Sequence, residues 1–383
     1  MRPPTSPLMD AVALRDGTLR LKQVPRPDPG PGQLALRPVT VGVCGSDLSA
    51  WQHTEQFLQA SRDAGMTTYL FDPDRDLVLG HEFVGLVEQV GPGVDGYAVG
   101  DMVVGLPYAV DADGQTRTVG YSTAYPGALS ETVVVQAAGQ IPVPPDVPPW
   151  VAVLTEPLTT GTSAVVRSRI TPPASTIVTG CGTVGLGVIA TLRERGIHPI
   201  IASDPSSTRR ELARRMGAHV VIDPGDDQDP FAAWRAAGAA EPPVVFEASG
   251  AHGLLGRLMA RAPMFTRIVV VGTGMLEETV RPVLGIYKNL TIEFCGGPGP
   301  GQDYRAELVA TLDRLRDGRI DGRTLVTGWC GLDGVPDLFE ALRPGNPSAV
   351  EHLKVVVVPS ERHPKIGSPA DLKSLDVFAR STA

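Results

Sequence analysis

The sequence predicts an α/β protein in two domains, a many-stranded β region and then a doubly wound parallel sheet. Three observations carry this. The chain has 383 residues, past the roughly 250–300 at which one hydrophobic core stops growing. Up to about residue 150, short apolar runs are punctuated by glycine and proline, the pattern of many strands. From about Thr176, strands alternate with helical stretches, the rhythm of βαβ units.

Taken in order, "LALRPVTVGV", "FVGLVEQVG", "DMVVGL" and "ETVVVQ" read as strands of the first region. "LVLGHEFVG", Leu77 to Gly85, reads as a buried strand ending on a titratable pair, His81 and Glu82. In the second region "STIVTG" is a strand, "TVGLGVIATLRERG" a helix closed by Gly196, and "HPIIASD" the next strand. "TRRELARRMG" opens with a Thr208-x-x-Glu211 capping box and stops at Gly217, where a left-handed residue is cheap for glycine. "AHVVID", "PPVVFEASG" and "RIVVVGTG" continue the parallel strands. After Gly296 to Gly301 come a helix, "YRAELVATLDRLRDG", and a last apolar strand, "HLKVVVV". The polar tail from Ser360 to Ala383 reads as an arm or as disorder, and no internal repeat is present.

Hydrophobic residues make up 42% and charged residues 20%, the composition of a soluble globular protein. Net charge is −8, and arginine-rich spots such as "RRELARR" lie in helical patterns with acidic neighbours. No basic stripe points to nucleic acid or to a membrane surface, so the expected partner is a small molecule. No apolar run approaches the ~18 residues of a membrane span, and the N-terminus lacks an apolar signal core, so a cytoplasmic location is expected. The four cysteines, Cys44, Cys181, Cys295 and Cys330, are scattered without a CxxC pair or a disulfide-like spacing.

"GCGTVG", Gly180 to Gly185, is G-x-G-x-x-G placed directly after a strand and opening a helix. Glycines there allow a tight turn, close approach of backbone to a pyrophosphate and close packing of helix on strand. The helix N-terminus, at Thr183 and Val184, offers free N–H groups to phosphate. Asp204 ends the next strand at the distance of about 20 residues where an acid receives the ribose hydroxyls. Asp204 would repel a 2′-phosphate. Arg209 and Arg210 lie nearby and also suit NADP, and NAD is the preferred cofactor.

Cys44 in "VGVCGSD", His81 and Glu82 in "GHE", and Glu156 in "LTEPLTTG" offer a thiolate, an imidazole and carboxylates, the ligand types of a catalytic zinc with one open position. Separated in this way they can converge only through tertiary structure. "GHEFVGLVEQVGPGV", Gly80 to Val94, has the glycine and valine spacing of the zinc-containing alcohol dehydrogenase signature, and "VCGSD", "EPLTTG" and "GCGTVG" follow in that family's order. Over roughly residues 10 to 358 the chain resembles the medium-chain dehydrogenases, nearest to the sorbitol and threonine dehydrogenase branch.

The resemblance implies a GroES-like catalytic domain over 1–159, completed by 299–383, with a Rossmann NAD-binding domain inserted at 160–298. It implies a zinc-dependent oxidoreductase that moves a hydride between an alcohol and NAD, acting as a homodimer or homotetramer. Cys44 and His81 match zinc ligands, Glu156 a third ligand in many members, and Glu82 a ligand in others. Successive strand residues point to opposite faces, so we expect Glu156 to be the resting ligand, with Glu82 close by and able to exchange onto the metal. Asp47 matches the group that orients the histidine. Ser46 matches the relay hydroxyl, and Ser49 stands where some relatives have a relay histidine, with His53 a remote candidate. Thr160 and Thr273 match residues that line the nicotinamide.

Two departures from the family stand out. "VVGLPYAVDADGQTRTVGYS", which corresponds to the structural zinc lobe, has no cysteine, so one catalytic zinc and no structural zinc is expected. The connection between Cys44 and His81, containing "WQHTEQFLQASRDAGMTTYLFDPDRD", is longer than usual and is expected to shape the substrate pocket or an oligomer contact. The alternatives are a metal-free reductase of the same fold and a non-catalytic cofactor-binding protein.

Overall fold

The computed structural model describes residues 7–69, 71–226, 228–239, 241–297, 302–372 and 374–375. The domain boundary expected at 298 and 299 and the end of the tail, 376–383, lie outside the described residues. The chain begins with β1 (Leu8–Arg15), β2 (Thr18–Pro25), β3 (Gln33–Gly42), α1 (Gly45–Gln52), α2 (Thr54–Asp63), β4 (Leu77–Val78) and β5 (Glu82–Val90). Then come β6 (Met102–Gly105), β7 (Tyr108–Val110), β8 (Thr116–Thr118), β9 (Val133–Gln136), β10 (Gln140–Pro142), α3 (Pro149–Ala152) and α4 (Thr155–Ser168). The alternating region is β11 (Thr176–Thr179), α5 (Thr183–Glu194), β12 (Ile200–Ser203), α6 (Ser207–Met216), β13 (Val220–Ile222), α7 (Pro230–Ala236), β14 (Val244–Glu247), α8 (Leu254–Arg261), β15 (Arg267–Val270), α9 (Pro282–Lys288) and β16 (Thr291–Phe294). The chain closes with α10 (Tyr304–Arg316), α11 (Gly322–Leu325), β17 (Val326–Gly331), α12 (Val335–Leu342), β18 (Lys354–Val358) and α13 (Pro369–Leu372).

Two compact units result, Met1–Glu156 with Leu312–Ala383, and Pro157–Thr311. In the first, β10, β6, β5, β3, β18 and β17 lie side by side in one sheet, with β9 also paired to β3. β3 is buried at every position but Arg37, because it has neighbours on both edges. β18 runs antiparallel to β3, Val356 opposite Gly42, and parallel to β17. The two ends of the chain therefore complete one sheet. Antiparallel pairing also sets Gly42 opposite Glu82, so the exit of β3 and the start of β5 are neighbours.

The second unit has six parallel strands in the order β13-β12-β11-β14-β15-β16, the doubly wound arrangement. β11, β12 and β14 are buried at every position, as strands covered on both faces must be. Ile177, Ile201, Phe231, Trp234, Val245 and Ile268 form its core.

Local readings of the sequence are corrected at three places. His81 and Glu82 stand at the start of β5, not at the end of a strand: β4 stops at Val78, and Gly80, at φ +98, turns the chain into β5. α6 is capped by Ser206, whose Oγ accepts the Arg209 N–H at 3.3 Å, rather than by Thr208. The cause is Asp204 Oδ1, which accepts the Ser206 N–H at 2.8 Å and sets the turn two residues early. The connection after Cys44, whose secondary structure the sequence leaves open, contains α1 and α2. The tail is not all an arm: Gly367 pairs with Trp329, and Leu372 is fully buried. Gly217 closes α6 at φ +118, as the sequence indicates. Among the described residues no helix is long and apolar enough to cross a membrane.

Candidate metal and cofactor sites

The strand pairing of the first unit assembles a side-chain cluster. Cys44 follows the exit of β3 and caps α1, and Asp47, three residues into the cap, accepts the Cys44 N–H through Oδ2 at 3.0 Å. Gly80 turns the chain into β5, which begins at Glu82, so His81 lies just outside the strand and strand alternation does not set it against Glu82. A side chain at 80 is excluded twice, by the positive φ and by Leu129 N at 2.9 Å from the Cβ position. One ligand atom each from Cys44, His81 and Glu82 lie within 4.8 Å of one another. Glu156, at the start of α4, is half-buried and is not in that group, which differs from the expected set in its third member.

Asp47, fully buried, organises the cluster: its Oδ1 lies 3.1 Å from His81 Nδ1 and 3.2 Å from the Tyr121 hydroxyl. The Tyr121 hydroxyl is also 3.1 Å from His81 Nδ1 and 2.9 Å from Ser46 Oγ. Burial works to lower the His81 imidazole, but the Asp47 charge and hydrogen bond, aided by Cys44, hold it well above the usual histidine value. Burial works to raise Asp47, yet His81 and the N–H groups of Cys44 and Gly80 bring it below the usual carboxylate value. Burial lifts the Glu156 carboxyl to about 7, Glu82 and Asp47 pushing the same way and His81 and Lys354 opposing.

Glu82 is fully buried. Its Oε2 accepts a hydrogen bond from Lys354 Nζ at 2.6 Å, and the same ammonium donates to Val43 O at 2.9 Å. Lys354 is the lone charge of an otherwise apolar strand, and a buried charge must find a partner. Gly42 leaves room for the Glu82 carboxylate, which a Cβ at 42 would strike. Glu82 Oε1 is buried without a hydrogen-bond partner among the described residues. An unmet buried carboxylate oxygen beside a thiol and an imidazole fits a cation of the zinc type. The sequence reading missed both Tyr121 and Lys354. Lys354 left one signal, its place inside "LKVVVV", whereas nothing in the sequence around Tyr121 marks it out.

In the second unit the glycine loop follows β11 and turns through Gly180, at φ +88. A side chain at 185 would strike Gly180 O, so that glycine lets α5 close onto the loop. A Cβ at Gly182 would meet nothing within 4 Å. The fold does not need glycine there, whereas close approach of a ligand does. Thr183 is buried and Val184 half-buried in the first turn of α5, an end with free N–H groups for phosphate. Asp204 is only 3% exposed, and its Oδ2 accepts the Cys181 N–H at 2.8 Å. Its carboxylate thus ties the glycine loop to the α6 cap and keeps further lone pairs. Arg210 pairs with Asp223 at 2.7 Å. Arg209 is half-buried on α6, Thr160 has its hydroxyl 3.5 Å from that of Tyr304, and Thr273 is exposed in the loop after β15.

Comparison with known proteins gives two family matches, the alcohol dehydrogenase GroES-like domain over residues 30–145 and zinc-binding dehydrogenase over 183–314. The chain is 30% identical to L-threonine 3-dehydrogenase of Pyrococcus horikoshii, covering 86% of this chain and 93% of that one. It is 28% identical to (R,R)-butanediol dehydrogenase of Neisseria gonorrhoeae, covering 90% and 97%. Among solved structures, 2R,3R-butanediol dehydrogenase of Bacillus subtilis is similar with TM-score 0.73 and 25% identity, over 92% of this chain and all of that one.

Proposed function

The chain belongs to the zinc-containing medium-chain alcohol dehydrogenase family, an oxidoreductase of CH–OH donors with a nicotinamide cofactor, and from that premise we propose that it passes a hydride between an alcohol and NAD beside one zinc held by Cys44, His81 and Glu82. The observation that carries this reading is the approach of the three ligand types within 4.8 Å, with Glu82 Oε1 left without a partner. Bound there, zinc supplies a Lewis acid that lowers the pKa of an alcohol oxygen.

The chain's own groups do the rest. Asp47 holds the His81 ring through Nδ1, which leaves Nε2 as the ligand nitrogen. Ser46 takes the alcohol proton and passes it to water or a ribose hydroxyl, since Ser49 replaces the relay histidine. Glu156, whose carboxyl burial raises to about 7, is the second carboxylate that would be available to a metal held there. The cysteine-free β7–β8 hairpin, closed by Arg117 on Asp111 at 2.9 Å, supports a single zinc per chain.

The β-rich unit is the catalytic one and the parallel-sheet unit the dinucleotide-binding one. Gly180, Gly182, Thr183, Val184 and Gly185 form the pyrophosphate cradle, and Thr160 and Thr273 line the nicotinamide. Asp204 supports NAD over NADP by repelling a 2′-phosphate, and Arg210 is engaged by Asp223; Arg209 contacts the adenosine side. A homo-oligomer is supported by β16, the outer strand of its sheet, and α9, where Ile286, Tyr287 and Phe294 are exposed. A cytoplasmic location without nucleic-acid or membrane partners is the reading that charge and composition support. L-threonine and 2R,3R-butanediol carry a polar group beside the alcohol carbon, so a small alcohol of that kind is the proposed substrate. The test is NAD-linked oxidation across polyols, amino alcohols and hydrophobic secondary alcohols. Fastest turnover is expected on a vicinal diol or amino alcohol, and no turnover on any of them would leave the metal-free reductase and the cofactor-binding protein.

A further inference from the structure

We propose that Tyr121 is a positioning residue of the metal site, and that the long segment between β3 and β4 serves to hold it there. The proposal rests on the reading of a metal held by Cys44, His81 and Glu82. The Tyr121 oxygen stands 2.9 Å from Ser46 Oγ, 3.1 Å from His81 Nδ1 and 3.2 Å from Asp47 Oδ1. A phenol has one proton to give and lone pairs to accept with. The Asp47 carboxylate accepts only, so it claims the phenol proton. Ser46 and the His81 Nδ1–H are then left to donate to the phenol oxygen, the histidine proton being shared with Asp47. One oxygen thereby sets the direction of the Ser46 hydroxyl while no alcohol is bound and favours the histidine tautomer whose Nε2 lone pair is open.

This oxygen has to be placed accurately, and the long segment does so. The Tyr121 ring is 2% exposed. Its centroid is 5.2 Å from that of Phe57 on α2, 5.8 Å from Tyr69 and 5.2 Å from the His81 ring. Phe57 is backed by Phe71 at 6.1 Å. The backbone is tied as well: the Thr118 N–H donates to Thr68 O at 3.0 Å, Arg117 Nη1 donates to Thr67 O at 3.0 Å, and the Tyr121 N–H donates to Thr118 O at 3.1 Å. Phe57, Tyr69 and Phe71, with the carbonyls of Thr67 and Thr68, all come from the segment between Cys44 and His81.

Tyr121→Phe removes the hydroxyl and keeps the ring, so a residue that only fills space would not notice it. The chelator-treated full chain is reloaded with Co2+, and cobalt affinity and the visible d–d spectrum are read before any substrate is added. Tyr121→Phe is expected to bind cobalt about 10–100-fold more weakly with an altered spectrum, and to lose kcat while KM for NAD holds. Phe57→Leu, which loosens the clamp and leaves the hydroxyl, is expected to change both cobalt readings in the same direction and by less. Wild-type affinity, spectrum and kcat in Tyr121→Phe would overturn the proposal. A wild-type chain that takes up no cobalt would sink the metal reading and the proposal with it. One that binds cobalt but oxidises no alcohol would sink the proposed activity alone, the cobalt comparison still deciding Tyr121.

Discussion

The glycine loop of the second unit and the side-chain cluster of the first are built in opposite ways. The loop is contiguous, Gly180 to Gly185, and its chemistry resides in backbone N–H groups that any sequence with these glycines exposes. The cluster takes side chains from Cys44 to Asp47, from His81 and Glu82, from Tyr121 and from Lys354, and its chemistry exists only once β3, β5 and β18 have paired. A backbone site tolerates change in side chains but not in glycines, whereas a side-chain site fails when any member or any fixing contact is removed.

That contrast orders the expected effects. Cys44→Ser is the largest: bound zinc and alcohol oxidation fall below detection, because a hydroxyl is a far poorer zinc ligand than a thiolate, while NAD titrates as in wild type. Retained zinc with retained turnover would make Cys44 a small buried residue and nothing more. Lys354→Met comes next, since it strands Glu82 as an unpaired buried charge. Denaturant unfolding of the chelator-treated chain should lose about 3–5 kcal/mol, and adding Glu82→Gln should restore most of it. A single variant as stable as wild type would show that the pair at 2.6 Å does not carry the site's electrostatics.

Gly80→Ala follows, with a cost of about 1–3 kcal/mol for the left-handed backbone and impaired zinc retention, both read from one thermal and metal-content series. In the second unit, Asp204→Ala should move cofactor preference toward NADP by about tenfold, the worth of a hydrogen bond to a charged group, with some stability lost through the Cys181 and Ser206 N–H groups it leaves. A wild-type enzyme faster with NADP at equal concentration would contradict this. Gly182→Ala is the smallest for the fold, within about 0.5 kcal/mol, because its Cβ meets nothing. Its NAD affinity should nonetheless fall, and unchanged affinity would remove the reason for glycine at 182.

The same contrast explains what the sequence discloses. Much of the parallel unit is legible because β11, β12, β14 and β15 are apolar runs and α5 and α6 stop at glycines, Gly196 and Gly217. The glycine loop needs no distant partner to be recognised. The candidate ligands Cys44, His81, Glu82 and Glu156 are legible as types, but which carboxylate stands nearest depends on where β5 begins: it starts at Glu82, so His81 lies outside the strand and the alternation expected of the pair does not apply. Tyr121 is hidden because its role is defined by three partners in other segments. Lys354 sits far along the chain from Glu82, and only the antiparallel pairing of β18 with β3 brings the two within reach. β16, Thr291–Phe294, alternates polar and apolar residues and lacks the continuous apolar run that marks β11, β12 and β14, so it is not legible as a strand.

The most direct test of the account is the zinc content of the purified chain, measured together with NAD-linked alcohol oxidation before and after chelation. The account predicts one zinc per chain, activity lost with the metal and recovered on adding Zn2+, and a smaller zinc affinity in Glu82→Gln than in Glu156→Gln. Full NAD-linked activity in a chain freed of zinc would contradict it and leave a metal-free reductase of the same fold.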